Sequence, residues 1–193
     1  MSECSCYSRM IIMINGSFGV GKTTVAKLLR DSLPGSVIYD PEWAGSVLMR
    51  LPKWVRLRGS GSDDFQHIAL WRKSAVAGVR LFRLLASGPV IVPMTFSRRA
   101  YFAEVVTGVK RLDPELRMFC LKASLPIVRG RLVERGSKIE GPGSEWIARR
   151  IVECADAHRD SHFGEPVDTE DRSAREVAED IIKRLRQTPT TTD

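Results

Sequence analysis

Cysteine is scarce here: Cys4, Cys6, Cys120 and Cys154 are the whole complement of a 193-residue chain. Thiols so few and so spread cannot form the framework of a disulfide-stapled secreted domain, so a reducing compartment is the expectation. Cys4 and Cys6 stand in a polar N-terminal stretch with no second pair or histidine cluster beside them, which leaves no ordinary zinc-ligand spacing. Histidine is scarcer still, and His67, His158 and His162 show no metal-ligand spacing with a partner acid. Long hydrophobic runs are missing too. None approaches a membrane span, and the first nine residues lack the apolar segment of a secretory signal, so a soluble, cytoplasmic chain is expected. Acidic residues are in modest deficit, 23 against 30 basic ones, for a net charge of +7. That balance suits a nucleotide, nucleic acid or an anionic membrane surface, or simply a solvated exterior, and charge alone does not choose. The composition is otherwise that of an ordinary globular chain, which excludes global disorder.

What is present is organised around Gly16-Ser17-Phe18-Gly19-Val20-Gly21-Lys22-Thr23. It fits G-x-x-x-x-G-K-[ST], the Walker A or P-loop pattern, with apolar Met10-Ile11-Ile12-Met13-Ile14 before it and helix-forming Thr24-Val25-Ala26-Lys27-Leu28-Leu29 after it. Glycines let the backbone curl closely round an anion, and the turn's N–H groups and the helix's positive end point at the phosphates. Residues 16–24 are therefore the expected ATP cradle. Lys22 would reach the β- and γ-phosphates, and the Thr23 hydroxyl would serve Mg²⁺.

Strand-like runs alternate with helical ones along the rest of the chain. A helix over 22–33 is closed by Pro34-Gly35, and Ser36-Val37-Ile38-Tyr39 is a short strand stopped by Pro41. Residues 43–50 suggest a short helix and 53–62 a loop. Ser62, Asp63 and Asp64 are good caps for one long helix running to Ser87-Gly88. Further strands are expected at 89–94, 116–121 and 166–168, and helices at 98–112, 125–135 and from Ser144 to Ala157. The last helix opens on the capping box Ser173-Ala174-Arg175-Glu176. The expected fold is α/β, a five-stranded parallel sheet with helices on both faces. Residues 1–9 form an extension, 10–187 a single domain with a lid at about 129–150, and 188–193 a frayed tail.

Ligands in such sheets sit beyond the carboxyl ends of the strands, so the residues just past each strand carry the functional expectations. Past the second strand stands Asp40, placed to orient or deprotonate an acceptor or to hold Mg²⁺. Its bland use is as a turn residue bonding the backbone before Pro41. The third strand ends in Pro93-Met94-Thr95 without the usual metal-holding acid, which leaves Asp40, Asp63 or Asp64 as substitutes. Arg131 and Arg135, four apart on one helical face, could close over a transferring phosphoryl group or be a solvated basic face. For Arg129, Arg149 and Arg150 the surface reading leads. Trp71 falls at core spacing, while Trp54 in a basic loop could stack on a base or sugar.

Asn15-Gly16-Ser17-Phe18-Gly19-Val20-Gly21-Lys22-Thr23, Tyr39-Asp40-Pro41-Glu42, Asp63-Asp64-Phe65-Gln66, Leu70-Trp71-Arg72 and Val92-Pro93-Met94-Thr95 come in an order and spacing that resemble the bacterial tunicamycin-resistance ATP-binding proteins. More distantly, Asp168-Thr169 with Ser173-Ala174-Arg175-Glu176, and Arg131-Leu132 with Arg135, resemble nucleoside-monophosphate kinases, shikimate kinases and chloramphenicol phosphotransferases. The first resemblance implies ATP binding and protection against tunicamycin, a nucleoside antibiotic with uridine, sugars and an acyl chain, by phosphorylation or by ATP-gated capture. It also implies an acceptor side of Asp40, Asp64, Gln66, Arg72 and Thr95, and membrane contact that is at most peripheral. A nucleic-acid-associated P-loop ATPase is the third alternative, and no nucleic-acid partner is expected. The oligomeric state is left open.

Overall fold

The computed structural model describes residues 9–42, 65–137, 139–141 and 144–187. The expectations for Cys4 and Cys6, the 43–50 helix, the 53–62 loop with Trp54, Asp63, Asp64 and the tail lie outside the described residues.

Five strands, β1 (Ile11–Gly16), β2 (Val37–Ile38), β3 (Val90–Met94), β4 (Arg117–Lys122) and β5 (Glu165–Asp168), form one sheet in the order β2-β3-β1-β4-β5. Every pairing is parallel. A parallel sheet must be covered on both faces, and strand composition follows from that. In β1 the residues Ile11, Met13 and Asn15 are in register with Val90, Val92 and Met94, and the last two also with Met118 and Cys120. This face packs under helices α2 (Ala69–Leu85) and α3 (Arg99–Lys110) through Trp71, Val79, Phe102, Val105 and Val109. The opposite face, with Ile12, Ile14, Ile91, Phe119, Leu121 and Val167, packs on α1 (Lys22–Ser32) and α6 (Ala174–Leu185). Each such side chain contributes about 1.5–3 kcal/mol by leaving water, so the alternation specifies register as well as stability.

Helices α4 (Leu125–Glu134) and α5 (Glu145–Ala157) form a satellite layer with its own small core of Val128, Leu132, Ile139 and Ile151. Helix α6 opens on the expected box: Ser173 Oγ accepts from Glu176 N–H and the Glu176 carboxylate accepts from Ser173 N–H at 2.8 Å.

Three local expectations change. Instead of one long helix before Ser87, a 3₁₀ turn at Phe65–His67 precedes α2, because the Gln66 carbonyl accepts from Arg72 Nη1 at 2.6 Å rather than from a helical amide. Ser144 stands at the start of α5 without capping it, since its hydroxyl donates to Gly141 O at 2.7 Å. Arg150 is not at the surface but 4% exposed, with Nη1 donating to Ser97 Oγ at 2.8 Å and to Glu153 at 2.7 Å.

Candidate active site

Strand order turns around at β1 and β3: the chain leaves β1 through α1 on one face and leaves β3 through α3 on the other. The crevice beyond their carboxyl ends is where a doubly wound sheet takes its ligand. The β1–α1 turn at that point is built by backbone freedom. Gly21, the residue before α1, has φ +107°, which a side chain would strain, and it frees the first turn of α1 to face an anion. Gly19 has φ +78°, and a Cβ there would stand 2.7 Å from Leu132 Cγ, so the turn touches α4 closely. Phe18 at its tip meets Trp146 of α5, ring centroids 5.6 Å apart.

Lys22 is folded back over the turn, donating to Gly16 O and Ser17 O at 3.0 Å each, with Nζ 5.7 Å from the centre of the Phe18 ring. Burial pushes its pKa down, while the carboxylates of Glu42 and Asp40 oppose that shift. Those two acids share a cavity of about 230 Å³ with Phe18, Lys22, Thr23, Pro93 and Arg135. Asp40 makes a turn bond and also lines the cavity. Its Oδ1 accepts from Glu42 N–H at 2.9 Å, holding the turn at Pro41. Glu42 was not singled out by sequence, although it sits in the quoted Tyr39-Asp40-Pro41-Glu42 run. The i, i+2 spacing across a proline was the available signal. Burial raises its pKa, Lys22 lowers it, and contact with Thr95 through side chain and backbone lowers it further.

A second cavity, about 470 Å³, lies on the other flank of the turn, between Val20, Gly21, Thr24, Arg131, Thr169 and Arg172. Arg131 is built into its wall: Nη2 donates to Thr169 O at 2.5 Å and Nη1 to Thr169 Oγ1 at 3.0 Å, which ties the β5–α6 loop to the P-loop side. Arg131 and Arg135 both line this larger cavity, and Arg135 also reaches the smaller one. Thr169 carries a signal in its place just past a strand and in the Asp168-Thr169 pair, and Arg172 has none.

Of the other residues expected on the acceptor side, Gln66, Arg72 and Thr95 are not among those lining the smaller cavity. Gln66 is buried and donates from Nε2 to Thr95 O at 2.5 Å; Thr95 is buried beside it. Arg72 is buried, its Nε paired with Glu104 at 2.7 Å and its guanidinium 4.3 Å from the Tyr101 ring centre. Asp64 lies outside the described residues. Two hard oxygen donors, Thr23 and Asp40, face one cavity, which fits Mg²⁺. Among the described residues no cluster of three or more His, Cys, Asp or Glu could hold a metal.

Residues 11–153 match the model of a family described as AAA domain. The chain belongs to this family. The AAA-domain chain is also similar to the structure of the Deinococcus radiodurans tunicamycin resistance protein, at 31% identity over 92% of this chain and 96% of that one, with a TM-score of 0.70. The resemblance drawn from the P-loop and the four later motifs is thereby shown. Its fold is also that of a gluconokinase from Sinorhizobium meliloti 1021 (18% identity, 93% of each chain, TM-score 0.62). A shikimate kinase from Acinetobacter baumannii adds a third case (15% identity, 91% of this chain and 92% of that one, TM-score 0.57). No curated protein gives a significant sequence match. Among the described residues, no helix of this AAA-domain protein is long and apolar enough to cross a membrane.

Proposed function

We propose that this protein is an ATP-dependent phosphotransferase for a small molecule, tunicamycin or a related nucleoside or sugar hydroxyl. The observation that carries the reading is the pair Asp40 and Glu42 facing Lys22 and Thr23 across one cavity at the switch point of the sheet. Phosphoryl transfer asks a protein mainly for positioning and charge neutralisation, and this arrangement supplies both. The larger cavity by Arg131 and Arg172 takes the base and ribose, and the turn at 16–23 takes the phosphates. Lys22 exchanges its two carbonyl partners for the β- and γ-phosphates. Thr23 and Asp40 would hold Mg²⁺, which neutralises phosphate charge when bound.

Glu42 accepts the proton of the acceptor hydroxyl as that oxygen bonds to the γ-phosphorus and the bond from phosphorus to the β-bridging oxygen breaks. Its mixed environment suits this step, because burial favours the protonated product state while Lys22 favours the carboxylate. Arg135, at the end of α4 and on the wall of both cavities, meets the charge that develops between them. The tunicamycin assignment is taken from the 31% identical relative.

Incubation of the full chain with Mg-ATP and tunicamycin, followed by mass spectrometry, tests the reading. A drug product heavier by one phosphoryl group is expected, with ADP formed in step. Drug retained by the protein without a modified product would favour ATP-gated capture instead.

A further inference from the structure

We propose that Asn15 is a positioning residue that sets the separation between the phosphate cradle and the acceptor-side carboxylate, an inference that rests on the kinase reading above. Asn15 is the last residue before the cradle and is 1% exposed. Both ends of its amide are committed to one distant peptide. Oδ1 accepts from Phe96 N–H at 2.8 Å and Nδ2 donates to Phe96 O at 3.3 Å. That carbonyl also meets Nε2 of His158, the residue after α5, at 2.7 Å, and the same ring nitrogen stands 3.2 Å from Asn15 Nδ2. The neighbours of Phe96 carry the acceptor side. Thr95 O accepts from Gln66, Thr95 touches the Glu42 carboxyl, and Ser97 Oγ accepts from Arg150.

On the other side of Asn15, Gly16 O holds Lys22 Nζ. A path therefore runs from Lys22 through Gly16, Asn15, Phe96 and Thr95 to Glu42, and Asn15 supplies its side-chain hydrogen bonds between β1 and the loop after β3. Loss of this link lets Thr95 and Glu42 shift while the cradle and α1 stay in place. Misplacement by about 1 Å can cost on the order of 10²-fold in rate. Turnover is then affected and nucleotide affinity is not, whereas a side chain that only satisfies buried polar groups lowers stability and leaves the folded enzyme's rate alone.

The test uses the full chain with Asn15→Leu, which removes both bonds, and Asn15→Asp, which keeps the acceptor for Phe96 N–H. Hydrogen exchange at Phe96, Mg-ADP affinity, and Mg-ATP turnover with tunicamycin as acceptor are measured. For Asn15→Leu, Phe96 exchange rises at least about 10-fold, turnover falls on the order of 10²-fold, and Mg-ADP affinity stays within about 2-fold. Asn15→Asp falls between Leu and wild type, and it carries the test alone if the Leu variant does not fold. Unchanged Phe96 exchange, or affinity falling in step with turnover, overturns the proposal. Wild-type chain that transfers no phosphate sinks the kinase reading. The link is then judged by Phe96 exchange and Mg-ADP affinity: exchange raised with affinity intact sustains it, and any other pairing ends it.

Discussion

At the scale of the residue, the site turns on how Lys22, Asp40 and Glu42 share one small cavity. Lys22 is buried, which pushes its pKa down, while two carboxylates oppose that shift and two carbonyls accept from its ammonium. Lys22→Ala should abolish ATP binding while leaving the melting transition in place; equilibrium titration with labelled nucleotide and a thermal melt check both halves. The two acids should separate under substitution. Asp40 spends one oxygen on its own turn and lines the cavity together with Thr23, so Asp40→Asn should raise the Mg²⁺ concentration needed for half-maximal turnover. Glu42 carries the perturbed pKa, so Glu42→Gln should lower transfer about 10²–10⁴-fold with Mg-ADP affinity nearly unchanged. Matching Mg²⁺ titrations of the two variants decide the assignment. If Glu42→Gln behaves as the Mg²⁺-sensitive variant, the roles are reversed.

At the scale of the element, the P-loop turn and helix α4 are in contact where Gly19 meets Leu132 and Val128. Gly19→Ala would combine a left-handed backbone with a Cβ only 2.7 Å from Leu132 Cγ, and should cost about 2–4 kcal/mol of stability and weaken nucleotide binding. Adding Leu132→Ala relieves the clash but not the backbone strain, so the double variant should bind nucleotide better than Gly19→Ala alone. Denaturant melts and nucleotide titration of the three chains measure this. Elements of this kind were legible from local pattern: the glycine spacing, the apolar strands flanked by Pro and Gly, and the Ser173 to Glu176 box all act within a few residues. What stayed hidden acts at long range. The Asn15 to Phe96 pairing spans 81 residues, and Arg150 reaches Ser97 across 53, so neither periodicity nor charge could distinguish a buried arginine from a solvated one. Position along the chain points to Asp40, which stands directly past the strand, while the proline after it turns both Asp40 and Glu42 onto one cavity.

At the scale of the whole molecule, His158 joins the layer of α4 and α5 to the sheet, since it leaves the end of α5 and donates to Phe96 O beyond β3. Burial pushes its pKa down to about 4, with nearby Lys22, Lys122 and Arg150 adding to the shift and the bond to Phe96 O opposing it. The unfolded chain's histidine takes up a proton near its usual 6.5 and the folded one near 4, so the unfolded state binds more protons between those values. Stability from this group is fully present above about pH 6.5, is lost as pH falls toward 4, and then levels off. At 1.36 kcal/mol per unit the whole loss is about 3 kcal/mol. Glu42, whose pKa is raised in the folded state, runs the opposite way, so the raw slope of stability against pH mixes the two. His158→Gln separates them, because the amide can still donate to Phe96 O but does not titrate. Urea unfolding from pH 7.5 to 4 should show the wild type losing about 3 kcal/mol more than the variant. Parallel pH curves for the two chains would mean that the ring is reached by water in the folded state and does not lock the helical layer to the sheet.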